Sequence, residues 1–208
     1  MNVSAQVFGR TLAVLGLGRI GSEVAARLQA FGMRVIGYDP MITKEQAAAK
    51  NIELLSLDEI WPQADFITVH VPLIPATENL INAKTLAKCK KGVKIINVAR
   101  GGIVNEQDLV DALNSGQAGG AAFDVFVEHS DIRRGISGRI KLRDVIRMFV
   151  KEPPKYRGLV EHPKAICTPH LGASTIDAQL RVATEIAENI VQLNNGNLLG
   201  VLNAKQVL

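Results

Sequence analysis

The sequence predicts an α/β fold, a doubly wound parallel sheet, on three observations. Apolar runs of strand length alternate with segments whose apolar residues recur at helical spacing. A Gly-x-Gly-x-x-Gly turn, Gly16 to Gly21, separates the first run from the first helical segment. An acidic residue, Asp39, closes the second run, eighteen residues beyond Gly21. Hydrophobic residues make up 47% of the 208-residue chain and aromatic ones only 4%, so aliphatic side chains must fill the strands. Parallel strands covered by helices on both faces have that composition.

In order, Leu12-Ala13-Val14-Leu15 reads as the first strand. The helix after it would carry Ile20, Val24, Ala25, Leu28 and Phe31 on one face. Arg34 to Tyr38 is the second strand, and Asp39-Pro40 breaks the pattern. An Ala-rich helix over Glu45 to Lys50 and a helical turn over Leu57 to Trp61 lead to a third strand, Asp65 to Val69. The two prolines in His70 to Pro75 make that stretch a loop. Asn82 to Lys88 reads as a helix and Val93 to Asn97 as the fourth strand. Asn105 would cap a helix that ends before Gly116. Ala118 to Asp124 is a small-residue fifth strand, whose backbone must approach its neighbours closely, and Lys164 to Cys167 a sixth. Ser174 to Asp177 has the form of a capping box, with Asp in place of Glu or Gln. The helix it opens would run to about Asn194, with Ile176, Leu180, Ala183, Ala187, Ile190 and Val191 on one face.

Strand, glycine turn, helix, strand and acid in this register form the dinucleotide-binding fingerprint of a Rossmann-type domain. Gly16 permits the tight turn, Gly18 lets the backbone approach a pyrophosphate, and Gly21 lets helix and strand pack. The helix N-terminus, at Arg19 and Ile20, turns its N–H groups and positive dipole end toward the phosphates. Asp39 would accept hydrogen bonds from the ribose hydroxyls and repel a 2′-phosphate, which favours NAD over NADP.

Composition narrows the class further. Residues 128–150 hold six cations against three anions and so carry +3 of the net charge of +4. With so little charge elsewhere, no basic face for nucleic acid is expected. No stretch reaches the length of a membrane span, and 1–10 has no apolar signal-peptide core. Cys89 and Cys167 stand alone without metal-ligand spacing, so reduced thiols in a cytoplasmic protein, with no metal, are expected.

Ligands of such sheets sit outside the carboxyl ends of the strands. Val98 to Gly102, Asp124 to Phe126 and Thr168 to Ser174 fall there. Arg100 offers a planar cationic fork suited to a carboxylate, or serves as a surface or helix-capping residue. His170 could exchange a proton at neutral pH, although a lone His is more often structural, the reading given to His70, His129 and His162. Glu152 is an acid in a stiff Lys-Glu-Pro-Pro turn, and the residues alone do not pair it with His170.

Four stretches together resemble the D-isomer-specific 2-hydroxyacid dehydrogenases. They are Gly16 to Gly21, Asn97 to Gly102, Asp124 to Phe126 with Glu152 to Pro154, and Pro169 to Ser174. Phe31 to Met33, Gly37 to Pro40, Trp61-Pro62 and Cys89 to Val93 narrow the resemblance to one branch of the family. It implies catalytic roles for Arg100 on the substrate carboxylate, His170 as general base, and Glu152 as the acid that holds His170 in its productive tautomer. It also implies that Gly16, Gly18, Arg19, Ile20, Gly21, Asp39, Val71, Val98, Ala99, Asp124 and Gly172 bind the cofactor NAD. Asp124 would face the nicotinamide carboxamide, and Val71 stands where close relatives often carry Thr. A small 2-hydroxy acid as substrate, and a homodimer through the nucleotide-binding domain, follow from the same resemblance.

Two departures accompany it. The family builds a substrate domain largely from residues ahead of the first strand, and this chain starts a few residues before that strand. Residues 1–194 are therefore expected to be the NAD-binding domain, and 195–208 the remnant of a segment that returns to the substrate domain. The expected turnover of this chain alone is weak or absent, and a non-catalytic NAD-binding and dimerisation module is the alternative. The second departure is internal. Deleting 128–150 would join Val127 to Lys151 and give Asp-Val-Phe-Val-Lys-Glu-Pro-Pro, which fits the continuous Asp-Val-Phe-x-x-Glu-Pro-Pro run of the family. The segment lacks the binary pattern of an evolved element, which fits a transcript-level insertion. Its second half, 140–150, could otherwise form a basic amphipathic helix.

Overall fold

The computed structural model describes residues 6–127, 157–168 and 170–197. The expectations for Glu152, for His129 and for the segment 128–150 lie outside these residues. The described chain falls into two compact units, Met1–Pro169 and His170–Leu208.

The first unit is built on a seven-stranded sheet in which every pairing is parallel. Its strands are β1 (Thr11–Leu15), β2 (Arg34–Tyr38), β3 (Glu53–Leu54), β4 (Phe66–Val69), β5 (Val93–Asn97), β6 (Ala118–Phe123) and β7 (Ala165–Cys167). They lie in the order β3-β2-β1-β4-β5-β6-β7. The order reverses beside β1, and that reversal opens a crevice at the carboxyl ends of β1 and β4. The helices are α1 (Arg19–Ala30), α2 (Lys44–Ala48), α3 (Leu57–Ile60), α4 (Ala83–Lys88), α5 (Glu106–Ser115) and α6 (Arg157–Val160). In the second unit, α7 spans Ile176–Asn194.

β1 shows why the fold is doubly wound. All five of its residues are buried, and alternate side chains enter different cores. Leu12 and Val14 join Leu17, Ala25, Met33 and Val35, whereas Ala13 and Leu15 join Ile36, Ile67 and Ile95. A strand of period two that buries both faces needs a helical layer on each side. At the other end of the sheet, β6 is rich in Gly and Ala because a neighbour crowds it. A Cβ on Gly119 would stand 2.5 Å from the Gly92 carbonyl oxygen, next to the register shift between Val93 and Lys94.

The helices start where side chains accept the free amides of the first turn. Thr43, Ser56, Asn82, Asn105 and Thr175 each do so for their own helix. For α7 the cap is Thr175, one residue past the expected Ser174. The expected face of α1 also needs correction. Ala25 is buried, and Val24 and Leu28 pack against the smaller core, but Ile20 and Phe31 are 68% and 66% exposed. Both lie at the ends of the helix, past the middle turns that pack on β1 and β2. Two elements gave no sequence signal: β3 is two residues long and α6 four, too short for either period to show.

His70, half-buried, shares a 2.9 Å hydrogen bond with the Thr68 hydroxyl, and burial lowers its pKa. Both cysteines are free, and burial pushes each thiol up to about 11 from an ordinary value of 9.0. A neutral thiol is therefore favoured by the fold. The associated stability is complete below pH 9 and is lost as pH rises through about 11. Urea midpoints measured from pH 8.5 upward should fall, and should fall less steeply in a Cys89→Ala, Cys167→Ala double variant.

Candidate functional site

The Gly16 to Gly21 turn leaves β1 at the crevice. Gly16 has φ +96°, and a Cβ there would lie 2.8 Å from the carbonyl carbon of His70. The turn thus rests directly on the main chain that follows β4. A Cβ on Gly21 would fall 1.9 Å from the Gly16 carbonyl oxygen, so α1 can approach β1 this closely only without a side chain. Around Gly18 the opposite holds: a Cβ would meet nothing within 4 Å. Gly18 is also the N-cap of α1 and gives no side-chain cap, unlike the five capping residues named above. Free amides at a helix N-terminus, facing open space with no side chain in the way, fit an anionic group such as a pyrophosphate.

Asp39 closes the same turn. Its carboxylate accepts the Leu17 amide at 2.8 Å and the Met41 amide at 2.9 Å. The sequence paired Asp39 with a ribose but did not reveal that the glycine turn itself orients the carboxylate. Val71 is buried in the larger core, and its main-chain nitrogen faces Gly16.

The loop after β5 presents Val98 and Arg100 to solvent, with Ala99 half-buried between them. Asn97, 1% exposed, shapes this loop from below. Its amide donates to the Arg100 carbonyl at 2.9 Å and its side-chain oxygen accepts the Ala99 amide at 3.1 Å. The guanidinium of Arg100 folds back on the Ala99 carbonyl at 2.6 Å. The habit of Asn to bond the backbone two residues on is the sequence signal that points to Asn97. Asp124, 7% exposed, follows β6 and accepts the Thr168 hydroxyl at 2.5 Å. Thr168 comes after β7 and carried no sequence signal of its own.

The first unit therefore brings Gly16, Gly18, Arg19, Ile20, Gly21, Asp39, Val71, Val98, Ala99, Arg100 and Asp124 to the carboxyl side of one sheet. His170 and Gly172 belong to the second unit, where both are exposed. His170 has φ 56°, in the left-handed region where His is among the enriched non-glycine residues. Among the described residues no group of His, Cys, Asp and Glu could hold a metal ion, and no helix is long and apolar enough to cross a membrane.

Sheet order, glycine turn and anchored acid define a dinucleotide-binding domain of the Rossmann type. Residues 2–172 match the family model for the D-isomer specific 2-hydroxyacid dehydrogenase, NAD binding domain, and the chain belongs to that family. Among known proteins, it is 50% identical to the D-3-phosphoglycerate dehydrogenase of Rattus norvegicus over 98% of this chain and 34% of that one. To the D-3-phosphoglycerate dehydrogenase of Bacillus subtilis it is 44% identical, over 93% of this chain and 33% of that one. The chain spans about a third of the length of these relatives. Among solved structures, it is similar to a D-isomer specific 2-hydroxyacid dehydrogenase from Lactobacillus delbrueckii ssp. bulgaricus in its NAD-complexed form. The TM-score is 0.80 at 29% identity, covering 94% of this chain and 56% of that one. A D-lactate dehydrogenase from Aquifex aeolicus, complexed with NAD and lactic acid, gives 0.79 at 29% identity, covering 96% and 57%.

The last two glycines of the turn separate packing from binding. Gly18→Ala should leave the free energy of unfolding within about 0.5 kcal/mol of the parent and weaken NADH binding, because its methyl enters the open cradle. Gly21→Ala should destabilise the fold by at least about 2 kcal/mol, because its methyl meets a backbone carbonyl. Denaturation curves and NADH titrations on both variants check the contrast.

Proposed function

We propose that the protein takes part in NAD-dependent oxidation of D-3-phosphoglycerate to 3-phosphohydroxypyruvate, the first step of serine biosynthesis. The observation that carries this reading is the exposed Arg100 on the Asn97-shaped loop, on the same side of the sheet as the glycine turn. The high identity to D-3-phosphoglycerate dehydrogenases supports the choice of substrate within the family. NAD, when bound, supplies the hydride acceptor. Its pyrophosphate would be held by the amides of Arg19 and Ile20, its ribose by Asp39 and its carboxamide by Asp124, and Gly16, Gly18, Gly21, Val71, Val98, Ala99 and Gly172 would complete the cofactor-binding set.

In this reading the Arg100 guanidinium grips the substrate carboxylate with paired, charge-assisted hydrogen bonds and polarises the reacting oxygen. His170 takes the proton of the C2 hydroxyl as the alcohol is oxidised and returns it in the reverse direction. Glu152 orients the imidazole and favours its protonated form by charge pairing. Residues 1–194 act as the NAD-binding domain, and the protein is a cytoplasmic homodimer through that domain, with no nucleic-acid or membrane partner.

The test is phosphoglycerate-dependent NADH formation by the 208-residue chain, with weak turnover expected from these residues alone. Whatever turnover is seen should fall by about 100-fold or more in His170→Ala. Turnover that His170→Ala leaves unchanged contradicts the assignment. NADH binding with no turnover at all favours a non-catalytic NAD-binding and dimerisation module. Cofactor choice gives a further check: Asp39→Ala should lower the preference for NADH over NADPH by about tenfold or more, read from paired fluorescence titrations.

A further inference from the structure

The four residues Asp124–Val127 that follow β6 are held from three sides. Thr168, after β7, donates its hydroxyl to Asp124 at 2.5 Å. Gly101, in the Arg100 loop, lies so close that a Cβ would stand 1.8 Å from the Phe126 carbonyl oxygen and 2.6 Å from the Val127 nitrogen. From below, the Val127 amide donates to the Glu106 carboxylate at 2.9 Å, across 21 residues of sequence. The Phe126 ring leans on Phe123 at 6.2 Å between centroids.

Glu106 stands out within this arrangement. It opens α5, but the helix is capped by Asn105, whose side-chain oxygen accepts the Asp108 amide at 3.1 Å, so Glu106 is not needed as the cap. Its side chain points back to the chain after β6 instead. Burial pushes its carboxyl above the usual range, even though the Val127 amide opposes that shift. A carboxylate held in partly desolvated surroundings is costly unless its hydrogen bond is well placed, and the positive end of α5 offsets part of the cost.

We propose that Glu106 is a positioning residue for the nicotinamide end of the cofactor: by tying the main chain at Val127, it fixes Asp124 relative to the Arg100 loop. This rests on the assignment of Asp124 to the nicotinamide carboxamide. In the sheet, β4 and β5 separate the Gly16–Asp39 half of the nucleotide site from the tie after β6, so that half does not depend on it.

The consequence can be read in the full chain with two ligands, NADH and ADP-ribose, the second of which lacks the nicotinamide. Glu106→Ala removes the acceptor, Glu106→Asp withdraws it by one methylene, and Glu106→Gln keeps an oxygen in place. The Ala and Asp variants should lose about tenfold in NADH affinity and hold ADP-ribose within about twofold, while Gln should bind both like the parent. Unchanged NADH affinity in folded Ala or Asp variants overturns the proposal. So does equal weakening of both ligands, failure of Gln to restore binding, or failure of both the Ala and Asp variants to fold. If the parent chain itself binds neither ligand, the NAD reading fails and takes the proposed role with it. Binding by the parent together with any of the other adverse results removes the role of Glu106 alone.

Discussion

The structure depends on one close approach, that of α1 to the end of β1. The Gly21 Cα lies against the Gly16 carbonyl at a distance no side chain would permit. That contact aims the first turn of α1 across the switch in strand order, where an open crevice must form. It also brings the Leu17 amide onto Asp39 and thereby ties the end of β2 to the turn. Burial of β1 on both faces makes this geometry rigid, because its residues alternate between two cores and no shift of register is tolerated.

The loops after the other strands are held by polar side chains of the protein itself. Asn97 braces the Arg100 loop, Thr168 braces Asp124, and Glu106 braces Val127. Asn97 and Thr168 bond residues proposed for ligand chemistry, and Glu106 bonds the chain three residues beyond one, Asp124. Loops of this kind leave the orientation of candidate groups to side chains from neighbouring elements.

Much of this was legible in the sequence, and the reasons are specific. β2 and β5 were read with their observed bounds, because a buried parallel strand is a short apolar run between breakers. Asn105 and Gly116 marked the ends of α5 through the chemistry of caps. Short elements such as β3 escaped, since two residues show no period. The exposed ends of α1 escaped because a helical face seen in sequence does not say how much of it a sheet will cover. In the candidate site, residue types were legible and tertiary partners were not. The Glu106–Val127 and Thr168–Asp124 contacts join residues 21 and 44 apart, and no local pattern announces them.

The central claim is that the open, uncapped first turn of α1 receives the pyrophosphate of NAD. Backbone amide spectra of the isotope-labelled chain, recorded during an NADH titration, test it most directly. Saturable shifts should be concentrated at Leu17, Gly18, Arg19, Ile20 and Gly21. Saturable binding that leaves these five amides unmoved would contradict it.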